Sequence, residues 1–432
     1  MLRKTIRNLI AAIDLMIKAQ VTVILENTSF KDLSATWAGL YYLVKVGYHN
    51  SIEIKLLNIK WEEIPYHINS TNTLDSPLAH KLLDELELPG NNPLSLIIGN
   101  YDLNVSCPFT IGVLESLAKI CATVFCPFIS TITPDIFDID NFAQLAKVNI
   151  DLHHHKKFKY LLQFAHDKNS SFIGLIIPRV LYPSLVNYKK KSYCPILGVD
   201  IAHYNNILGN AAYAYAAVVI TSFIQTGWFL DTTGLPENDN EELGLVPRLR
   251  AETFFENKCN IPFGFFKYIT EFYISDQKEK ALARLGFIPL CQVKNRDIAV
   301  FYSNNSIRSL EIESNNYLKY ETTNYLYTLQ YMLCVCRVAH YIKIIGRQKL
   351  GLYSNIGEFQ NYLNNWLLQY ISSNIETPLS LKHKYPLLAA KVEISQGKSL
   401  KDSFNCMIYL QPHLISMQAA AEIVLNTKID PL

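Results

Sequence analysis

The stretch Leu208-Gly-Asn-Ala-Ala-Tyr-Ala-Tyr-Ala-Ala, residues 208–217, opens an apolar run that continues to Leu230. Its small residues, Gly209, Ala211, Ala212, Ala214, Ala216 and Ala217, let a helix approach its neighbours closely, which a tight core or a subunit seam requires. The run is long enough to span a bilayer, yet it carries Asn210, Ser222, Gln225 and several aromatic rings. Lipid would leave those amides poorly solvated, so the run is read as a helix buried in protein. A polar loop, Thr232 to Glu242, separates it from the downstream half of the chain.

Strands and helices alternate upstream of this helix. Ile52 to Ile59 alternates apolar with polar residues, and Leu94 to Gly99 and Phe172 to Pro178 are short apolar runs bounded by Pro, Gly and Ser. These read as buried strands. Leu78 to Leu88, Ile111 to Val124 and Phe142 to Lys147 carry helical patterns between them, which predicts a layered α/β arrangement. Further upstream, Leu33, Trp37, Leu40 and Val44 fall at helical spacing and are read as a core-facing stripe. The basic start of the chain precedes an apolar stretch interrupted by Asp14 and Lys18, with no small-residue cleavage site after it. It is read as an amphipathic helix presenting Ile6, Ile10, Ile13 and Met16 on one face.

Downstream, Thr322 to Lys349 is a long helix stopped by Gly351, and Phe359 to Ile371 forms another around Trp366. The period then changes to two, at Leu388 to Ile394, Asn405 to Leu410 and Ser416 to Leu425. This pattern predicts a small antiparallel sheet with an open edge. The expected fold class is therefore mixed α/β (α+β), with a layered α/β body over residues 1–285 and a helix-plus-antiparallel-sheet domain over 286–432.

Of the 432 residues, 49% are hydrophobic and only 18% charged, against a usual charged content of about 25%. That balance excludes disorder and points to surface hidden in an assembly. A net charge of +2 supplies no field for nucleic acid. The one dense basic patch, Tyr188-Lys-Lys-Lys-Ser-Tyr, is read as a solvated loop. Nine scattered cysteines without a CxxC pair are read as free, buried thiols in a reducing cytosol.

Few residues suggest chemistry. His153, His154 and His155 adjoin, but successive helical residues point about 100° apart and cannot all face one ion. Asp135, Asp138 and Asp140 lack the glycine and glutamate of an EF-hand and are assigned to turns and caps. Cys336 and His340, four residues apart, share a helix face and are a candidate nucleophile pair; the plainer reading is a packed thiol beside a satisfied histidine. GxSxG, GxxxxGK[ST], HExxH and GxGxxG do not occur. No catalytic, cofactor or metal residues are assigned.

Several segments in order resemble the large sheath subunit of the bacterial type VI secretion system, the TssC/VipB/IglB family. They are Trp37-Ala-Gly-Leu-Tyr-Tyr-Leu-Val, Ile177-Pro-Arg-Val-Leu, the Leu208 stretch with Gly227-Trp228, Ile274 to Cys291 with its Gly-Phe-Ile-Pro-Leu turn, Arg337-Val-Ala-His-Tyr-Ile-Lys, Tyr385-Pro-Leu and Tyr409-Leu-Gln-Pro-His. The resemblance spans about Trp37 to His413; less sequence precedes Trp37 than is usual in the family, and the His153 to Lys157 block and the Asn238 to Glu242 loop differ from it. It implies a non-catalytic cytoplasmic building block that pairs with a small sheath subunit (TssB/VipA/IglA type) and with copies of itself, around an inner tube (Hcp type) on a baseplate. An AAA+ unfoldase of the ClpV type is a further implied partner; nucleic acid and membrane insertion are not. Met407, Tyr409, Leu410, Val392 and Ile394 on the C-terminal strands, with Arg337 and His340, are the candidate assembly residues. The alternatives are a Cys336/His340 enzyme and a sheath subunit of a phage-like contractile particle.

Overall fold

The computed structural model describes residues 2–49, 51–68, 73–88, 92–148, 156–183, 206–229, 231–235, 243–249, 268–294, 296–309, 327–349, 356–372, 384–396, 404–413 and 423–429. Four helices, α1 (Leu2–Glu26), α2 (Thr28–Val46), α3 (Ile64–His67) and α4 (Pro77–Glu87), precede the first strand. Local chemistry sets their starts. The Asn27 side chain accepts from the Ser29 and Phe30 amides at the head of α2. Ser76 accepts from the Ala79 amide ahead of α4, where Pro77 occupies the first turn.

The body is built on β1 (Ile97–Leu103), α5 (Pro108–Val124), β2 (Phe128–Ile132), α6 (Lys159–Ala165), β3 (Ile173–Ile177), β4 (Val180–Pro183), β5 (Asn206–Gly209), α7 (Ala212–Thr226), α8 (Asp276–Arg284), β6 (Phe287–Gln292) and β7 (Ala299–Phe301). A five-stranded sheet runs β1-β2-β3-β6-β7. Its first four strands are parallel, and β7 closes it antiparallel to β6. Every residue of β2, β3 and β6 is buried. Continuous apolar runs, without alternation, are what strands covered on both faces require. The separate β4–β5 ribbon is antiparallel.

The C-terminal region comprises α9 (Leu329–Lys349), α10 (Ile356–Leu368), β8 (Leu387–Gln396), β9 (Phe404–Pro412) and β10 (Ile423–Ile429). The three strands form an antiparallel sheet in the order β10-β9-β8. One buried core runs from Ala38 and Leu43 on α2 through the parallel sheet to Leu333 on α9 and Leu410 on β9. The α9–sheet approach depends on Gly174 in β3: a Cβ there would collide with Leu329 and lie 3.1 Å from Ile288 and 3.2 Å from Ile129. The mixed α/β class is as the sequence indicates.

Three expectations are corrected. Ile52 to Ile59 forms no strand; Ile52, Ile54 and Ile59 are half-buried by side-chain packing alone, while Glu53, Lys55 and Leu57 between them are exposed. Phe142–Ala146 is a 3-10 segment. On α2 the stripe lies the other way: Leu33, Trp37 and Val44 are 56%, 54% and 45% exposed, and the face turned inward is Ala35, Ala38, Gly39, Tyr42, Leu43 and Val46. Small residues win the inner face because α2 sits closely on α7, with Gly39 against the Tyr213 ring. The five-stranded sheet continues beyond residue 286, through β6 and β7 to Phe301. Residues 153–155, 188–193, 236–242, 322–326 and 416–422 lie outside the described residues.

Asn210 joins the Ala-rich helix to the sheet. Its Nδ2 donates to the Gly99 and Tyr101 carbonyls of β1, at 3.1 and 3.3 Å. Its Oδ1 accepts from the Ala212 amide at 2.8 Å, serving the open N-terminus of α7. The buried Tyr182 hydroxyl donates to the Asn210 carbonyl at 2.8 Å. At its other end α7 stops at Gly227, whose φ of 77° is left-handed. Replacing Asn210→Ala strands the buried Ala212 amide and removes one donor from each of two carbonyls that the Ser130 hydroxyl also serves, and should lower stability by about 1–2 kcal/mol. The shift in the denaturation midpoint, with unchanged slope, measures it.

Candidate functional site

The sheet β10-β9-β8 carries five of the candidate assembly residues, and its pleat separates them. Val392 pairs with Ile408, and Ala390 with Leu410. Val392, Ile408, Leu410 and Cys406 are fully buried, and Ile394 packs against the same core. Val392, Ile394 and Leu410 therefore hold the sheet to its own chain; the Leu410 carbonyl also accepts from the Tyr331 hydroxyl of α9 at 2.8 Å. Met407 and Tyr409 occupy the opposite face and are half-buried. Beside them Lys391 and Glu393 form a surface ion pair at 2.6 Å, and the Tyr409 hydroxyl donates to Glu393 at 3.3 Å.

The two borders of this sheet differ. On β8, the Asn364 amide of α10 donates to the Val392 carbonyl and accepts from its N–H, at 3.2 and 2.8 Å. Gln360 accepts from the Ile394 N–H at 3.1 Å. Side chains thus occupy that border where another strand would bind. Among the described residues β10 pairs with β9 on one side only, the arrangement that templates strand addition.

Arg337 and His340 sit within one turn of α9, in unlike surroundings. The Arg337 guanidinium carbon lies 4.5 Å from the Phe223 ring, 5.3 Å from Trp228, 5.8 Å from Phe229 and 5.2 Å from Tyr341. It donates to the Tyr341 hydroxyl at 3.0 Å, while its buried Nε has no partner. His340 is buried; its Nε2–H donates to the Val124 carbonyl at 2.9 Å, and its ring meets Phe125 edge-on. Burial lowers its pKa to about 4. Near the same helix, Arg347 donates to the Leu86 and Glu87 carbonyls, so a cation caps the C-terminus of α4.

This arrangement does not supply a nucleophile. Cys336 is buried near Cys121 and Cys126, and burial pushes its thiol well above the usual value. His340 spends its Nε2 proton on the backbone. Among the described residues no group of three or more His, Cys, Asp or Glu side chains is placed to hold a metal. Asp138 pairs with Lys157 at 2.5 Å and Asp135 accepts from Thr133 at 2.9 Å.

Among the described residues an extended exposed apolar surface lies at the other end of the chain. No residue of α1 from Arg3 to Glu26 is buried, and Leu9, Leu15, Met16 and Val23 are 60% exposed or more. Its length and hydropathy would suffice to cross a membrane, whereas the run expected to be the membrane candidate supplies α7, which is buried in the core. The outward stripe of α2, with Leu33, Trp37 and Val44, extends the exposed surface. The sequence marks both helices, but the spacing reads the α2 stripe as core-facing and leaves the direction of the α1 face open. The available signal was the second apolar face of α2, made of small residues. Asn210 stood out in the sequence only as a polar group in an apolar run; a buried amide must find partners, and that demand marks its role.

Two measurements check the polar residues of α9. Cys336 should resist iodoacetamide in the folded protein and react only on unfolding, detected by mass spectrometry of its peptide; rapid native labelling would restore the thiol-enzyme reading. His340 is neutral when folded, and the unfolded chain binds its proton below about pH 6.5. Its contribution is therefore complete above that pH and declines as the pH falls towards about 4. Between pH 7 and 4.5 the wild type should lose about 2–3 kcal/mol more stability than His340→Gln, measured by denaturant titration at each pH.

Comparison with known proteins places this geometry. The family model described as "EvpB/VC_A0108, tail sheath N-terminal domain" matches residues 7–308. The model described as "EvpB/VC_A0108, tail sheath gpW/gp25-like domain" matches residues 320–429. The type VI secretion system sheath protein TssC1 of Pseudomonas aeruginosa is 29% identical over 427 residues, covering 95% of this chain and 83% of that protein. Among solved structures, a sheath tail protein from Desulfitobacterium hafniense aligns at 10% identity with a TM-score of 0.30, over 74% of this chain and 59% of that one. Matched by the sheath models over both its parallel-sheet body and its C-terminal strands, the chain belongs to the TssC/VipB family of tail sheath proteins.

Proposed function

We propose that this chain is the large, non-catalytic subunit of a type VI contractile sheath, working in the cytoplasm as a helical tube with a small sheath partner. Membership of the sheath family across both halves of the chain is the observation that carries this reading. Two structural features support it. The exposed apolar surface of α1 and α2 is too extensive for a lone soluble protein and calls for a cover; we assign it to the small partner. The unpaired side of β10 offers backbone groups to a strand from a neighbouring subunit.

In this reading the body extends through β7, and the unit from α9 onward links subunits. Met407 and Tyr409, on the half-exposed face of β9, belong to that linkage. Strand addition is directional and uses main-chain hydrogen bonds, so it survives rotation of the bodies. The extended tube is then a metastable packing and the contracted tube a second, lower packing of the same subunits. Its contraction would drive an inner tube of the Hcp type from a baseplate, with an unfoldase of the ClpV type available to recycle spent subunits.

Co-expression with the small sheath protein from its own gene neighbourhood should give hollow tubules with a cogwheel cross-section in negative-stain electron microscopy. Deleting residues 405–432 should abolish tubules while the body keeps its helical circular dichroism. Tubules from the truncated chain would refute the strand-linkage proposal; a full chain that neither binds the partner nor forms tubules would refute the sheath reading.

A further inference from the structure

We propose that Arg337 and the aromatic rings around it form a receptor for a carboxylate side chain presented by an adjacent copy of this chain in the assembled sheath, an inference that rests on the sheath reading above. A guanidinium removed from water normally finds an anion. Here the surrounding groups are Phe223, Trp228, Phe229 and Tyr341, and among the described residues no Asp or Glu pairs with it. The buried Nε is without a partner, and the bond to the Tyr341 hydroxyl lies at an exposed position. The guanidinium thus lies against ring faces, with the terminal nitrogen that bonds Tyr341 at an exposed position.

Such a site suits a bond that is made and broken. Ring faces let the guanidinium remain charged while no carboxylate is present. Its planar fork then accepts a carboxylate through two parallel hydrogen bonds, which fixes orientation as well as attraction. Arg, Trp and Tyr in a half-buried cluster are also the side chains on which association energy concentrates.

The position favours another copy of this chain over the small partner. The face assigned to the partner is the outward side of α2, and the inward side of that helix meets α7 near its start, where Gly39 lies against Tyr213. The receptor is built on the far end of that helix, at Phe223, about 15 Å further along at 1.5 Å per residue. It also straddles the two sheath-model regions: Phe223, Trp228 and Phe229 come from the first, Arg337 and Tyr341 from the second. An acidic side chain seated there touches both, so it binds one relative placement of neighbours and is released by another.

The test uses tubules of the full chain with its small partner. With the photo-crosslinker p-benzoyl-phenylalanine in place of Tyr341, irradiation should give a covalent dimer of this chain in tubules and none in the soluble heterodimer. Cross-linking to the small partner, or no cross-link in intact tubules, would overturn the proposal. Independently, Arg337→Gln should lower tubule yield by about tenfold or more, and Arg337→Lys should recover only part of it. The heterodimer should still co-purify in both. Wild-type yield from Arg337→Gln would overturn the proposal, whereas failure of the unsubstituted pair to form any tubule would overturn the sheath reading on which it rests.

Discussion

The three hydrogen bonds of the Asn210 amide set the frame on which the molecule is assembled. Through them the first turn of α7 is held to the Gly99 and Tyr101 carbonyls of β1. The helix N-terminus carries an amide that burial would otherwise strand, while the β1 carbonyls also accept from the Ser130 hydroxyl. One side chain bridges the two, and in doing so fixes where the Ala-rich helix begins. The alanines then matter: they let α2 close on the same helix, and α2 turns its small residues towards it. The large side chains of α2 are left on the outside as a consequence of that choice.

A chain organised this way carries its assembly surfaces as remainders of its own folding. Where side-chain amides from α10 occupy the β8 border, the sheet is closed to addition; at β10 no such cover exists among the described residues. The exposed face of α1 is likewise a surface that the core does not use. Proteins usually blunt such features because they invite aggregation. A subunit whose work is polymerisation keeps them, and a low content of charge is the compositional trace of that work.

How much of this was readable from residues alone depended on how local the determining physics was. Ile173–Ile177 was legible because burial on both faces demands an unbroken apolar run, whereas β2 and β6, buried as fully, were not picked out as strands. The C-terminal strands were legible because one face is solvated and the period of two survives, as Cys406, Ile408 and Leu410 against Met407 and Tyr409 show. Periodicity failed where two apolar faces shared one helix: spacing alone cannot tell whether Trp37 or Gly39 faces the core, since the answer lies in a partner helix some 170 residues away, read only through Tyr213. It failed again at Ile52 to Ile59, because alternation reports half-burial and says nothing about whether a ladder forms. The candidate residues on the C-terminal strands were named as one group, and sorting them requires the register that places Val392 inward and Tyr409 outward.

The Arg337-Val-Ala-His segment shows how one motif divides its labour. Three residues along a helix place both side chains on nearly the same face, yet the environments diverge within a turn. His340 meets a carbonyl supplied by its own chain and is neutral at physiological pH, so its hydrogen bond is complete before any neighbour arrives. Arg337 is permanently charged, is surrounded by rings, and retains an unbonded nitrogen. A neutral, satisfied group contributes only to the fold that contains it, whereas a charge without a carboxylate keeps a binding capacity that the isolated subunit does not use. The same helix therefore secures the interior through His340, and in the proposed reading Arg337, without a carboxylate among the described residues, is the group that another copy answers.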